Sequence, residues 1–181
     1  MPPSFNHLDT NKSPICSSEV KTVILERLQK EIISKLRKSS YRKMKKRKRS
    51  ERESETPPKL LSESVVRSRL RCGINQCTRA LEDELQSPKL IILARDVRPA
   101  TIFEHILVYA QIRNIPILLL PGRASLELGE AVGLRTCAAL AFLARDSCSY
   151  QDDNKANMEE WNECNIDIDA FIAYVVSKIP K

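Results

Sequence analysis

Two histidines, His7 and His105, are all that the 181 residues contain, and neither stands at zinc-ligand spacing from a cysteine. The six cysteines are Cys16, Cys72, Cys77, Cys137, Cys148 and Cys164, and no two of them form a Cys-x-x-Cys pair. Spacing therefore speaks against a structural zinc site and a disulfide framework alike. Several of these cysteines lie inside apolar runs, where a reduced thiol behaves as a small hydrophobe; buried free thiols are expected. Long apolar runs are also missing, for no stretch approaches the ~20 residues that span a membrane. The polar N-terminus has no apolar core of signal-peptide type. These absences point to a reducing compartment, cytosol or nucleus. A catalytic set is lacking too. Asp96 beside Arg95 is the nearest approach to one, and no nucleophile, metal set or histidine completes it. Gly73 does not belong to a glycine-rich phosphate loop with its lysine. The expectation is a protein with no catalytic residues, no metal and no cofactor.

What the chain does have is positive charge, unevenly placed. Formal net charge is +7. Residues 1–60 hold 16 Lys and Arg against 7 Asp and Glu, residues 61–150 hold 11 against 9, and residues 151–181 hold 3 against 7. A blocky basic excess suits a polyanionic partner such as RNA. Its densest part is residues 42–49, where Arg42, Lys43, Lys45, Lys46, Arg47, Lys48 and Arg49 make seven of eight positions. Such a run reads as a nuclear-localisation or RNA-contacting segment, with a solvated linker as the plainer possibility.

Upstream of that run, Val20, Ile24, Leu28, Ile32 and Leu36 recur every four residues, with Ser18 as a candidate N-cap. The resulting helix, residues 19–38, must dock its apolar face on the core domain or on a partner protein. The basic segment separating it from the core favours the partner. Pro57 and Pro58 end the extension. Residues 1–60 thus read as a basic, partly helical extension whose removal should leave a folded core.

Beyond residue 60, helix and strand patterns alternate. Helices are expected over 62–70, 74–86, 100–112 and 125–132, the last stopped by Gly133. Buried strands are expected over 89–97, 115–120 and 136–144, since their apolarity is continuous rather than alternating. Residues 147–165 are acidic and polar and read as a loop, with Trp161 as its anchor. A final helix spans 166–179. The fold class that follows is α/β, a three-layer α/β/α sandwich with a mixed sheet of about four strands, over residues 61–181.

Residues 71–82 concentrate the candidate chemistry. Gly73 opens a helix whose first turns carry Asn75, Gln76 and Arg79 within about one and a quarter turns, hence on one face. Amides and a guanidinium so placed can read base edges, and free amides at a helix start can hold a phosphate. Asn75 as a cap and Arg79 as a plain surface cation are the bland alternative.

Four features then fall in order: Gly73-Ile-Asn-Gln-Cys-Thr-Arg-Ala-Leu-Glu82, Leu90-Ile-Ile-Leu-Ala-Arg-Asp-Val-Arg-Pro99, Arg113-Asn-Ile-Pro116 and Leu128-Gly-Glu-Ala-Val-Gly133. This order resembles the kink-turn-binding ribosomal protein superfamily of L-seven-Ae and L-thirty-e type, whose signature helix runs Gly-x-Asn-Glu-x-Thr-Lys-x-x-Glu. Thr78-Arg-Ala-Leu-Glu82, a long turn over residues 121–126 and Ala139-Leu-Ala-Phe142 are most similar to the branch formed by the thirty-eight-kilodalton (fungal Pop-three) subunits of ribonuclease P and ribonuclease MRP.

The resemblance implies an RNA-binding domain that clamps a bent, kink-turn-like stem with sheared G·A pairs. Asn75 and Gln76 would touch guanine edges. Arg79 would reach phosphates and the guanine face, Arg98 and Ile102 would contact RNA at the next helix start, and Arg113 takes the place of a family lysine. Pro121, Gly122 and Arg123 would cover a flipped-out nucleotide. Two departures stand out: Gln76 occupies a position usually held by Glu, and Arg98 replaces a common Glu. The 121–129 interval is also longer than in ribosomal members. The implied role is a non-catalytic ribonuclease P/MRP subunit in the nucleus, within the nucleolus, with other protein subunits as partners through the 19–38 helix. It would support maturation of tRNA 5′ ends and processing of pre-rRNA. A ribosomal or small nucleolar particle protein, or a protein-interaction module that has lost RNA binding, are the alternatives.

Overall fold

A computed structural model describes residues 15–35, 61–83, 87–99, 101–145 and 155–179. In chain order the elements are α1 (Ser18–Arg27), a π-helical turn continuing it (Leu28–Ile33), α2 (Leu61–Arg69), β1 (Leu70–Cys72), α3 (Ile74–Glu82), β2 (Pro88–Ala94), α4 (Thr101–Ile112), β3 (Ile117–Leu120), α5 (Ala124–Val132), β4 (Ala139–Leu143) and α6 (Lys155–Ser177). The sheet is mixed, in the order β1-β4-β2-β3. β2 and β3 run parallel, while β4 is antiparallel to both β2 and β1.

Strand side chains alternate between two cores, as the pleat requires. Leu90, Ile92, Ala94, Leu118, Leu120, Leu140 and Phe142 pack under α1, α2, α5 and α6. Ile91, Leu93, Leu119, Ala139 and Ala141 pack under α3 and α4. Helices therefore cover both faces of a four-stranded mixed sheet, the three-layer sandwich that the alternating pattern predicts. Gly133 ends α5 in the left-handed conformation (φ 81°), where an L side chain would be strained.

Several expectations change. The N-terminal helix docks on its own chain: Ile24, Leu28, Ile32 and Ile33 are buried in the first core. Its apolar face is therefore not open to another subunit, contrary to the expected use of the 19–38 helix. Each fully buried side chain of that size stabilises by about 1.5–3 kcal/mol, and a face of four outweighs the separation in sequence. The wider π turn sets Ile33 beneath Leu28, so both point inward with Ile32. The cap is Ser17, whose hydroxyl accepts from the Val20 N–H, one residue before the expected Ser18.

The 147–165 segment is not wholly a loop, since α6 begins at Lys155. Its polar composition hid a helical rhythm in which Trp161, Cys164, Asn165 and Ile168 turn toward the core. Trp161 accordingly anchors a helix, with the Arg145 guanidinium 4.6 Å above its ring. The turn expected over 121–126 is shorter, because α5 already starts at Ala124. β1, only three residues long, is too short to show a period in sequence. The basic run Arg42, Lys43, Lys45, Lys46, Arg47, Lys48 and Arg49 lies outside the described residues.

Arg69 fastens the first layer. Only 2% exposed, it donates through Nε and Nη2 to the Leu143 carbonyl and through Nη1 to the Asn165 carbonyl and Oδ1. Nη2 also pairs with Asp169. One guanidinium thus ties α2, the end of β4 and α6, with its donors matched as a buried cation demands.

Candidate nucleic-acid interface

Strand polarity decides which loops meet. β2 and β3 are parallel, so residues 95–99 and 121–123 leave the sheet at the same edge. β4 enters at that edge, because Ala139 pairs with Leu93. β1 ends there, because Cys72 pairs with Leu140. Backbone hydrogen bonds close the row: Gly73 N–H to Ala139 O at 2.7 Å, Ala94 N–H to Ala138 O at 2.9 Å, and Arg95 N–H to Leu120 O at 3.1 Å. Gly73 and Asn75, Arg98 and Ile102, and Pro121, Gly122 and Arg123 therefore share one rim of the sheet. Three strand steps of about 4.8 Å separate β1 from β3, so the α3 start and the 121–123 loop stand roughly 14 Å apart.

On α3 the amphipathic split is clean. Cys77, Ala80 and Leu81 are buried, while Asn75, Gln76 and Arg79 are exposed. Gly73 takes φ 94° and no side chain caps the helix start. The first-turn amides of α3 point toward the rim without a side-chain acceptor, the geometry in which a helix start attracts an anion. Thr78 Oγ1 lies 2.7 Å from His105 Nε2 and locks α3 against α4. His105 thereby has a packing role. Arg98, Gly122 and Arg123 are exposed, as is Ile102, at 40%; Pro121 is half-buried.

Arg113 is the one predicted contact that the fold sets apart. Its Nη1 donates to the Asp83 carbonyl at 3.1 Å, at the C-terminal end of α3. Eight residues of helix, about 12 Å, separate that point from Asn75. The guanidinium there holds the end of α3 to α4.

Two side chains that sequence reading did not assign to this rim shape its far side. Asp96 Oδ1 accepts from the Ser125 N–H at 2.9 Å and Oδ2 from the Ser125 hydroxyl at 2.6 Å. It accepts from the first turn of α5 out of another loop, and it fixes the 121–123 loop against the end of β2. An acid after a strand and a serine at the next helix start are the local signal, but the pairing is visible only once β2 and β3 are known to be parallel. Lys21 of α1 is 9% exposed. Its Nζ donates to the Pro121 carbonyl at 3.4 Å and pairs with Glu127 at 2.7 Å.

Beneath Gly73 three thiols gather. Burial pushes Cys77 up to about 12, with the neighbouring Cys137 adding to it. A hydrogen bond with Cys137 raises Cys72, and burial raises it further. The same bond lowers Cys137 against the cost of its burial. Cys16, Cys72, Cys77, Cys137 and Cys164 form no disulfide. Among the described residues no group of three or more His, Cys, Asp or Glu side chains is placed to hold a metal ion, and no helix is long and apolar enough to cross a membrane.

A four-stranded mixed sheet with helices on both faces makes this an α/β/α sandwich domain, with an uncapped helix start, amides and arginines exposed along one rim. The chain is a member of the Ribosomal protein L7Ae/L30e/S12e/Gadd45 family, whose model matches residues 58–152. A curated relative is the human (Homo sapiens) Ribonuclease P protein subunit p38, 32% identical over 91 residues. The match covers 50% of this chain and 31% of that protein, so the chain spans about a third of that relative's length. Among solved structures, a Giardia lamblia 15.5kD RNA binding protein is 15% identical, with TM-score 0.39 over 62% of this chain and 83% of its own. A Bacillus halodurans protein of unknown function is 18% identical, with TM-score 0.38 over 63% and 93%.

Proposed function

We propose that this chain is a non-catalytic RNA-binding subunit of ribonuclease P and ribonuclease MRP that holds a kink-turn-like bent stem of the particle's RNA. The observation that carries the reading is the shared rim. Asn75, Gln76 and Arg79 project from α3 at one end, Arg98 and Ile102 stand between, and the 121–123 loop closes the other end. Amides and guanidinium groups at the α3 end suit guanine edges, and Arg98 and Arg123 suit phosphates. The likeness to the human p38 subunit supports the choice of particle. Other protein subunits of that particle are partners, in the nucleus and nucleolus. The lysines and arginines of residues 42–49 act there as a localisation signal or a further RNA contact. The chain thereby supports tRNA 5′-end maturation and pre-rRNA processing without contributing a catalytic group.

Recovery of the tagged full chain from cells, followed by sequencing of the bound RNA, tests the particle. Ribonuclease P and MRP RNAs should dominate; ribosomal or small nucleolar RNA in their place would refute the assignment. A gel shift on a kink-turn stem tests the site. Asn75→Ala with Arg79→Ala should weaken binding at least ten-fold, since a lost base-edge contact costs about 1–3 kcal/mol. Unchanged affinity would remove α3 from the interface.

A further inference from the structure

Lys21 lies outside the segment that the family model matches, residues 58–152, yet it reaches the rim. The chain arrives there along β3: Ile15 bridges Leu119 in parallel, and the Cys16 N–H donates to the Leu119 carbonyl at 3.3 Å. Ser17 then caps α1, and one turn later the Lys21 ammonium lies under the 121–123 loop. It donates to the Pro121 carbonyl at 3.4 Å and pairs with Glu127 on α5 at 2.7 Å. A Cβ at Gly122 would stand 3.5 Å from the same nitrogen. The ammonium therefore fills the space beneath the loop at van der Waals distance.

Burying a lysine is costly unless its charge and donors are met. Here one carboxylate meets the charge, the carboxylate and one carbonyl take two of the three donors, and both partners belong to the loop or to the helix that follows it. At 9% exposure, Lys21 has little surface to offer a ligand. Arg123, two residues beyond Pro121, is exposed. From this geometry we infer that Lys21 is a positioning residue. It sets the height and direction of the 121–123 loop, and so makes the N-terminal helix a working part of the RNA interface rather than an appendage. The inference rests on the reading of the rim as an RNA site. Mechanically, α1 enters the first core through Ile24 and Leu28 and carries the ammonium on its first turns as a fixed strut. Asp96 supplies the second strut, through Ser125.

A double-mutant cycle in the full chain tests it, with a synthetic kink-turn stem as the probe. Lys21→Met should weaken binding about five-fold. Arg123→Ala should cost about five-fold in the wild type but under two-fold in Lys21→Met, because the loop is already displaced. Asn75→Ala should cost the same in both backgrounds, its helix being held by other contacts. Coupling confined to one end of the rim is not what general destabilisation produces. Glu127→Ala removes the counter-charge from the surface side and should show the same selective coupling; it serves if Lys21→Met does not fold. Independent costs for Lys21 and Arg123, with wild-type binding intact, overturn the positioning role alone. A wild-type chain that ignores the stem overturns the RNA reading and this role with it. Amide exchange in the free protein then shows whether Lys21→Met frees residues 122–124 all the same.

Discussion

Leu28→Ala distinguishes a helix docked within its own chain from one awaiting another subunit. In the isolated chain a partner-facing Leu28 would be exposed, and its truncation would cost next to nothing. Here the side chain is 0% exposed and sits in the first core with Ile24 and Ile32. Removing three buried carbons leaves a cavity that this three-sided packing, with α5 and α6 on either side, cannot close. The expected cost is about 2–5 kcal/mol. For a chain of this size each kcal/mol moves the melting midpoint by about 2–4 °C, so a fall of at least 4 °C is expected. Urea unfolding followed by circular dichroism reads the same loss as a lower midpoint at unchanged slope. Val23→Ala, at a site 43% exposed on the same helix, is the control and should stay within about 0.5 kcal/mol. A Leu28→Ala chain as stable as that control would refute the docking. Removal of residues 1–60 strips the whole face, and should give a chain that binds a hydrophobic dye and unfolds less cooperatively than the intact one.

Other consequences concern single sites. Arg69→Met should destabilise by about 3–5 kcal/mol, because it orphans two carbonyls and an amide within a buried network; Asp169→Asn, at the half-exposed end of that network, should cost far less, and denaturant midpoints compare the two. At Gly129 a Cβ would lie 2.6 Å from Thr136 Cα and 2.9 Å from its N and C. Backbone cannot yield there as a flexible side chain would, so Gly129→Ala should cost about 1–3 kcal/mol or more in thermal unfolding. Cys77, buried and with its thiol pushed up to about 12, should resist alkylation at pH 8 in the folded chain and react once it is denatured; rapid native labelling at Cys77 would contradict its placement under α3.

How much of this was legible in sequence follows from where each determinant lies. The buried strands announced themselves because double-sided burial writes a continuous apolar run, as in Leu90-Ile-Ile-Leu-Ala94. The α3 face was readable because Asn75, Gln76 and Arg79 are close in sequence and the helix period alone places them together. Determinants that depend on pairing were not readable. Lys21 and Pro121 are 100 residues apart, Arg69 and Asp169 likewise, and Asp96 meets Ser125 only through the parallel register of β2 and β3. The N-terminal helix carried an honest signal, its apolar face, but amphipathicity does not name the surface that covers it. The acidic stretch before Ile166 misled because charge resembles loop composition, while Ala156, Met158, Glu159 and Glu160 are good helix formers.

Gln76 is where the chemistry of the proposed site can be read most finely. It lies exposed in the first turn of α3. A glutamine there offers a guanine one carbonyl acceptor, and its amide turns donors toward donors if it approaches both guanine N–H groups at once. A carboxylate would accept both, with charge-assisted bonds about twice as strong as neutral ones. It would also sit favourably at the positive end of the helix, worth about 0.3–1 kcal/mol. Gln76→Glu should therefore raise the melting midpoint slightly and tighten binding to a stem with sheared G·A pairs. The size of the tightening alone does not measure the base contact, since added charge also repels phosphates and offsets part of it. Replacing the contacted guanine by inosine removes the exocyclic amine and isolates that contact. Loss of the amine deprives a carboxylate of one of two bonds, whereas a single carbonyl can keep its bond to the remaining ring N–H. The penalty for inosine should then be several-fold greater in Gln76→Glu than in the wild type, measured at fixed salt so that phosphate contacts contribute equally. Equal penalties would mean that residue 76 does not read the guanine edge, and would confine base reading on this helix to Asn75.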